Sequence, residues 1–167
     1  MATHMFIKFE TPDIDGGSAM KGHEKEIEVI SWSHGFSQPA SSVRSAAGGG
    51  TIEKADHGDF NFTKYMDSAT DDLLKYCWNG KHIGKAIFKA YRADGEKTPG
   101  ALYLQIEMES VVVSSYSTGG GGGDIPSESI SLGYNKVTYT YKGQDKDKGA
   151  EGKQQVTYAD LKAGEVA

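Results

Sequence analysis

Phe60-Asn61-Phe62-Thr63-Lys64-Tyr65, running on into Ser68 through Gly80, is the stretch whose reading decides the fold. Its second half carries a helical signature. Thr70 is placed to cap a helix start through its side-chain oxygen, and Asp71 and Asp72 follow at the positive end of the helix dipole. Leu73, Leu74, Cys77 and Trp78 fall at i, i+1, i+4 and i+5, which predicts one apolar docking face made of these four residues. Gly80 suits the left-handed residue that ends a helix, with Lys75 and Lys81 near the negative end. A helix this short is marginal alone, so its apolar face must dock on something larger. The sequence around it alternates like strand, so the expected partner is a sheet or barrel.

The chain of 167 residues has the length of a single domain, 1–167, with room for a real core. An apolar fraction of 37% is that of a soluble protein, and a net charge of −5 disfavours nucleic acid as a partner. Glycine is frequent at 22 and concentrated in runs, which predicts long loops between regular strands. The lone Cys77 cannot form an intrachain disulfide and reads as a small buried hydrophobe. No stretch approaches the ~18 apolar residues of a membrane-spanning helix, so no membrane insertion is expected. Met1-Ala2-Thr3-His4 begins no signal peptide. Synthesis and folding in the cytoplasm follow, with export by a non-classical route left open.

Outward from the helix, strands are predicted at Met5–Phe9, Glu26–His34, Asp59–Tyr65, Ala86–Tyr91 and from Leu102 onward. Glu26–His34 has mixed faces, which predicts more than one kind of neighbour. Leu102, Leu104, Ile106 and Met108 alternate with Tyr103, Gln105, Glu107 and Glu109, and Val111-Val112-Val113 lengthens this strand beyond the usual, so a bulge or bend is expected near Ser110. Asp94-Gly95 signals a turn, Gly119–Gly123 is a run of five glycines, and strands are expected over Ser127–Tyr134, Asn135–Lys142 and Gln154–Tyr158. Residues 159–167 read as an exposed or partner-bound tail. Seven or eight strands with one helix give a mainly β fold, a barrel or sandwich carrying a helix on its flank.

Catalytic and ligand motifs are sparse. Gly119–Gly123 is followed by Asp124 rather than by Lys and Ser/Thr, and no helix pattern opens there, so it is no phosphate loop. The five histidines show no short metal-ligand spacing. His57 with Asp56 and Asp59 is the densest cluster and reads better as turn residues. Glu107 and Glu109 share a strand face as a glycosidase pair would, but polar residues opposite an apolar stripe are usually a solvated face. No catalytic residue, metal site or cofactor is assigned. Two alternatives stand beside a structural role: a monomeric β-barrel that binds a small apolar ligand, and a β-barrel hydrolase using His57, Asp59 or the Glu107/Glu109 pair.

Met5-Phe6-Ile7-Lys8, then Glu28-Val29-Ile30-Ser31-Trp32-Ser33 followed by Gln38, then Phe60–Tyr65, Cys77–His82, and Val111–Gly120 with Ser114-Ser115 and Ser117-Thr118, occur in this order. Together they resemble the haemolysin-coregulated protein family, the tube subunit of bacterial type VI secretion. Five motifs in register across nearly the whole chain carry the resemblance. It departs at the C-terminal end, where Val156-Thr157-Tyr158-Ala159-Asp160 replaces the family's Gly-Trp-Asn type of segment.

The resemblance implies a β-barrel of two sheets with one flanking α-helix. It also implies a homohexameric ring, stacking of rings into the inner tube of a contractile machine, a sheath around it and a spike protein at its tip. Small secreted effectors in the lumen are implied as cargo, as is expulsion into the medium without a signal peptide. On that footing Ser31 and Ser33 are the candidates for the lumen wall. The long Gln38–Thr51 loop, for which a compact barrel has no internal need, supplies Gln38, Ser41, Ser42 and Arg44 as candidates for contacts between rings.

Overall fold

The computed structural model describes residues 3–39, 54–93, 100–144 and 151–167. Ser41, Ser42, Arg44 and the Gly48–Gly50 run, the Asp94-Gly95 turn signal, and residues 145–150 of the charged tip lie outside the described residues.

The strands are β1 (Thr3–Glu10), β2 (Ile27–Glu28), β3 (Ser31–Ser33), β4 (Phe36–Ser37), β5 (Asp56–His57) and β6 (Phe60–Tyr65), followed by the helix α1 (Thr70–Asn79). Then come β7 (Ile83–Arg92), β8 (Ala101–Gly119), β9 (Ser127–Gly133), β10 (Lys136–Gln144), β11 (Glu151–Asp160) and β12 (Glu165–Val166). The fold is mainly β with one helix. One sheet has the order β12-β11-β10-β8-β7-β1-β2, and the other runs β3-β6-β9-β8. β4 and β5 form a small antiparallel pair of their own.

Both sheets share β8, because 19 residues are too many for one sheet to hold flat. Residues 101–111 pair with β7 and residues 104–109 with β10, whereas residues 112–119 pair with β9. The bend expected near Ser110 is there: Ser110 sits at φ +53°, a left-handed conformation costing a side-chain-bearing residue roughly 1–3 kcal/mol. A further register shift follows between Val113 and Ser115. β9 and β10 track β8 through both sheets, so together they form one long bent hairpin whose turn is the glycine run. Of its five glycines only Gly123, at φ +97°, uses the left-handed region.

Glu26–His34 is not one strand. Ile27 and Glu28 pair with β1, Val29 N–H still donates to Met5 O (3.0 Å), and from Ile30 onward the partner is β6, starting with Ile30 N–H to Thr63 O (2.8 Å). The chain changes sheet between Val29 and Ile30, which is why its faces look mixed. The C-terminal tail is exposed from Lys162 onward, as one of the two readings had it, and is also paired. Residues 161–164 turn back and Val166 pairs with Ala159, with Ala167 N–H donating to Tyr158 O (3.0 Å) and Tyr158 N–H to Ala167 O (2.7 Å). An unpaired strand edge at β11 is satisfied locally in this way.

The helix differs from expectation at both its cap and its face. Thr70 does not cap it. The preceding turn is closed by Asp67, whose Oδ1 accepts from Ala69 N–H (3.0 Å), while Thr70 Oγ1 accepts from Asp67 N–H (3.2 Å). Gly80 does end it, at φ +66°, with its N–H on Tyr76 O (3.2 Å). Lys75 reaches back to Asp71 (3.6 Å) and Asp72 (3.9 Å) rather than serving the C-terminal carbonyls. Leu73 is fully buried, but Leu74 and Cys77 are half-buried and Trp78 is 77% exposed. The inward stripe is Ala69, Leu73, Tyr76 and Cys77, spaced i, i+4, i+7, i+8; at 100° per residue Leu74 and Trp78 lie off its edge. It packs on a core drawn from both sheets, with Phe9, Phe60, Phe62, Phe88, Ile106 and Leu132 among its members.

Candidate functional site

The outer face of the β3-β6-β9-β8 sheet follows from strand alternation. Ser31, Thr63, Ser129 and Ser117 are successive cross-strand partners, and so are Ser33, Asn61, Ser131 and Ser115. Between these two rows, Trp32, Phe62, Ile130 and Tyr116 align in the same way and point into the core. Eight small hydroxyl or amide side chains therefore tile a shallow concavity of about 220 Å³. Thr63 and Ser131 are half-buried and the other six are exposed. The rows are knitted sideways: Ser31 Oγ and Thr63 Oγ1 are 2.6 Å apart, and Ser131 donates to Asn61 Oδ1. At the margin, Ser114 donates to Asp59 Oδ2 (2.5 Å) and to Ser131 O (3.1 Å).

No charged side chain stands in either row. The charged residues of β6 and β9, Lys64 and Glu128, are direct cross-strand partners turned inward, and both are fully buried. Lys64 Nζ contacts Glu128 Oε2, donates to Asp67 Oδ1 (2.7 Å) and to Tyr65 O (3.1 Å), and so ties the sheet to the turn that starts α1. Tyr116 donates to Glu128 Oε1; burial first, and then the Glu128 carboxylate, hold its phenol well above the ordinary range. The face is neutral because its two ionisable residues neutralise each other on the other side of the same sheet.

Beside the rows, Ile30, Tyr65 and Ile125 stand partly or largely exposed around the glycine run and line a larger recess of about 720 Å³. Of the candidates read from sequence, Ser31 and Ser33 are brought together in the serine face. Gln38 follows β4 and belongs to neither row. Asn61, Thr63, Ser115, Ser117, Ser129 and Ser131 were not singled out, although the alternation Ser127-Glu128-Ser129-Ile130-Ser131-Leu132 carried the signal. Which of its two faces lies outside is settled only by the pairing with β6 and β8. The Glu107 and Glu109 carboxylates face separate lysines, Lys85 at 3.0 Å and Lys136 at 3.9 Å. His57 lies in β5 and its Nδ1 meets Tyr134 Oη at 2.9 Å rather than a carboxylate. Among the described residues, no group of three His, Cys, Asp or Glu side chains is gathered as a metal site would need.

The family model described as type VI secretion system effector, Hcp, matches residues 6–141. Protein hcp1 of Pseudomonas aeruginosa is 40% identical over 153 residues, which cover 91% of this chain and 91% of that protein. The crystal structure of Hcp1 from Salmonella typhimurium superposes with a TM-score of 0.78 at 29% identity, covering 100% of both chains. A solved type six secretion system protein reaches a TM-score of 0.87 at 27% identity over 99% of this chain and 100% of that one. The match to the family model ends before β11 and β12, in keeping with the C-terminal departure seen in the sequence. With the family model covering most of its length and a relative this similar along nearly all of it, the chain belongs to the Hcp family of the type VI secretion system.

Proposed function

We propose that this chain is a structural tube subunit: it closes into homohexameric rings, the rings stack into the inner tube, and the tube is expelled when the surrounding sheath contracts. The serine face is turned to the central opening and holds small secreted effectors there. The observation that carries the assignment of the face is its composition. Two uncharged rows of hydroxyl and amide groups can meet many partner sequences without a charge clash and without an exposed apolar surface. Partners in this reading are other copies of the chain, the sheath, a spike at the tube tip and the effectors, and the role requires no catalytic group. The segment carrying Gln38, Ser41, Ser42 and Arg44 is assigned to contacts between rings. Among the described residues no helix is long and apolar enough to cross a membrane.

Size-exclusion chromatography with light scattering tests the assembly. Six copies of the 18.0 kDa chain give a species of about 108 kDa, seen as rings by negative-stain microscopy. A one-subunit mass at tens of micromolar would leave instead the reading of a monomeric ligand-binding barrel. That reading has its own observation, an apolar groove of about 380 Å³ between Phe36 and the Val137, Tyr139, Ala159 and Val166 side chains.

The face has a separate test. Ser33→Gln adds a long side chain to an exposed position in the second row while leaving the inward Trp32 untouched. The expected result is an unchanged ring mass with effector retention weakened about tenfold, equivalent to about 1.4 kcal/mol. Undiminished co-purification of effectors with the variant would remove Ser33 from the cargo surface and leave the ring in place.

A further inference from the structure

A cluster of histidine and tyrosine side chains joins the β4–β5 pair to the end of β9 and to β10. His34, just after β3, contacts Tyr139 Oη through Nδ1; its Nε2 lies 2.8 Å from Tyr134 Oη and 3.1 Å from Gly58 O. Tyr134 Oη is in turn 2.9 Å from His57 Nδ1. One assignment gives each of these contacts one donor and one acceptor. Tyr139 donates to His34 Nδ1, His34 Nε2–H is shared between Gly58 O and Tyr134 Oη, and Tyr134 donates to His57 Nδ1. The rings also pack closely: His34 stacks on Tyr139 (5.7 Å between centroids), and Phe36 meets His34 at 4.5 Å and His57 at 5.0 Å.

In this assignment both imidazoles are neutral. A proton on His34 Nδ1 would face the Tyr139 oxygen and leave the Tyr139 O–H without its acceptor. A proton on His57 Nδ1 would do the same to Tyr134. The charged and titratable groups facing the cluster are few. Asp59 favours a charged His34, whereas His57 disfavours it, and Lys54 disfavours a charged His57. Burial is the largest influence on both rings and works against charge; it brings His34 down to about 4 and lowers His57 as well. Burial also raises both tyrosine phenols, Tyr139 to about 12, so they stay protonated donors.

We propose that the Tyr139–His34–Tyr134–His57 relay is a proton-operated latch: with both rings neutral it holds the β4–β5 pair against β9 and β10, and protonation of the rings releases that pair while the two main sheets stay folded. Among the described residues the β4–β5 pair is also held by Phe36 against Tyr139 (6.0 Å between centroids) and, beside its end, by Lys54 Nζ donating to Leu161 O (3.0 Å). Phe36 is 51% exposed, and the pair stands as a separate two-stranded sheet, with Gly58 N–H on Gly35 O (2.8 Å) at its base. Release removes Phe36 and His57 from one wall of the apolar groove and bares Val137 and Tyr139 on the other.

The direction follows from the midpoints. A released His34 returns to about 6.5, whereas the held ring titrates near 4, so protons bind the released form better. The latch is fully closed above the released value and weakens as pH falls from there toward the held value. Allowing for a ring only half withdrawn from water, release should rise about tenfold between pH 7.5 and 5.0.

Amide hydrogen exchange on the full chain, expressed as protection factors corrected for intrinsic exchange, tests this independently of the ring reading. Protection at Gly58 and across β4–β5 should fall about tenfold between those pH values relative to amides of β7 and β8. The double variant His34→Gln/His57→Gln should lose that response. An unchanged ratio in the native chain, or the same fall in the double variant, overturns the proposal. Should the double variant not fold, Tyr139→Phe keeps the ring packing and removes the hydroxyl that holds His34 Nδ1 neutral. Its release midpoint should move to higher pH, and an unmoved midpoint overturns the latch.

Discussion

Leu73→Asp is expected to abolish recovery of folded protein. Leu73 is fully buried on the inward stripe of α1, against a core that unites both sheets. The substitution removes a large apolar side chain, at about 2–5 kcal/mol, and buries a carboxylate in its place, which costs several kcal/mol more. The sum approaches the ~5–15 kcal/mol total stability of a domain. Soluble yield and circular dichroism read the result, and a cooperative thermal transition near that of the parent chain would refute it. The same change at Leu74 is expected to be far milder, because that residue is only half-buried and its carboxylate can turn to water. Trp78→Ser should leave the melting temperature of the isolated subunit nearly unchanged, since the indole is 77% exposed.

Breaking the Lys64–Glu128 pair is the second large effect. Both side chains are fully buried and face each other across β6 and β9. Lys64→Met leaves the Glu128 and Asp67 carboxylates and the Tyr65 carbonyl without their shared donor. Removing one partner of a buried pair costs about 3–5 kcal/mol, because the survivor is an uncompensated charge. Glu128→Leu strands the ammonium in the same way, although Asp67 remains to it. Replacing both with apolar residues removes the orphaned charge, so Lys64→Met/Glu128→Leu should be more stable than either single variant. Chemical denaturation of the four chains gives the coupling. Additive losses would show that the two residues do not act as a pair. The double variant also separates structure from use: the serine face keeps all its residues, so only its rigidity and the anchoring of the α1 turn are altered.

Much of this was legible from local pattern. A strand announces itself by alternation, so β1, β6, β8 and β10 could be read from Met5–Phe9, Phe60–Tyr65, Leu102–Met108 and Val137–Tyr141, and the bend at Ser110 from a strand too long for one sheet. Family motifs in register identified the type of protein. At the helix the reading failed because a residue type at one position does not show which neighbour its side chain takes or which way it is turned. Thr70 lost the cap to Asp67, whose carboxylate is held in place by Lys64. Trp78 was counted as core because adjacent apolar residues on a short helix do not reveal which way the helix is rolled.

Local pattern accounts for the periodicities, the helix with its glycine stop, the neutral Ser31 and Ser33 among apolar neighbours, and the family. These are properties of residues a few positions apart, fixed by backbone geometry and side-chain size. Only the tertiary structure decided that Glu26–His34 changes sheets, that eight small polar residues from four strands form one face, and that Lys64 is buried on Glu128. The same holds for His34 meeting Tyr134 and Tyr139, 100 and 105 residues further along the chain, and for His57 meeting Tyr134, 77 residues further along. The physical reason is that strand pairing is non-local. Which face of a strand meets solvent, and which charge meets its counter-charge, is set by register against partners far along the chain.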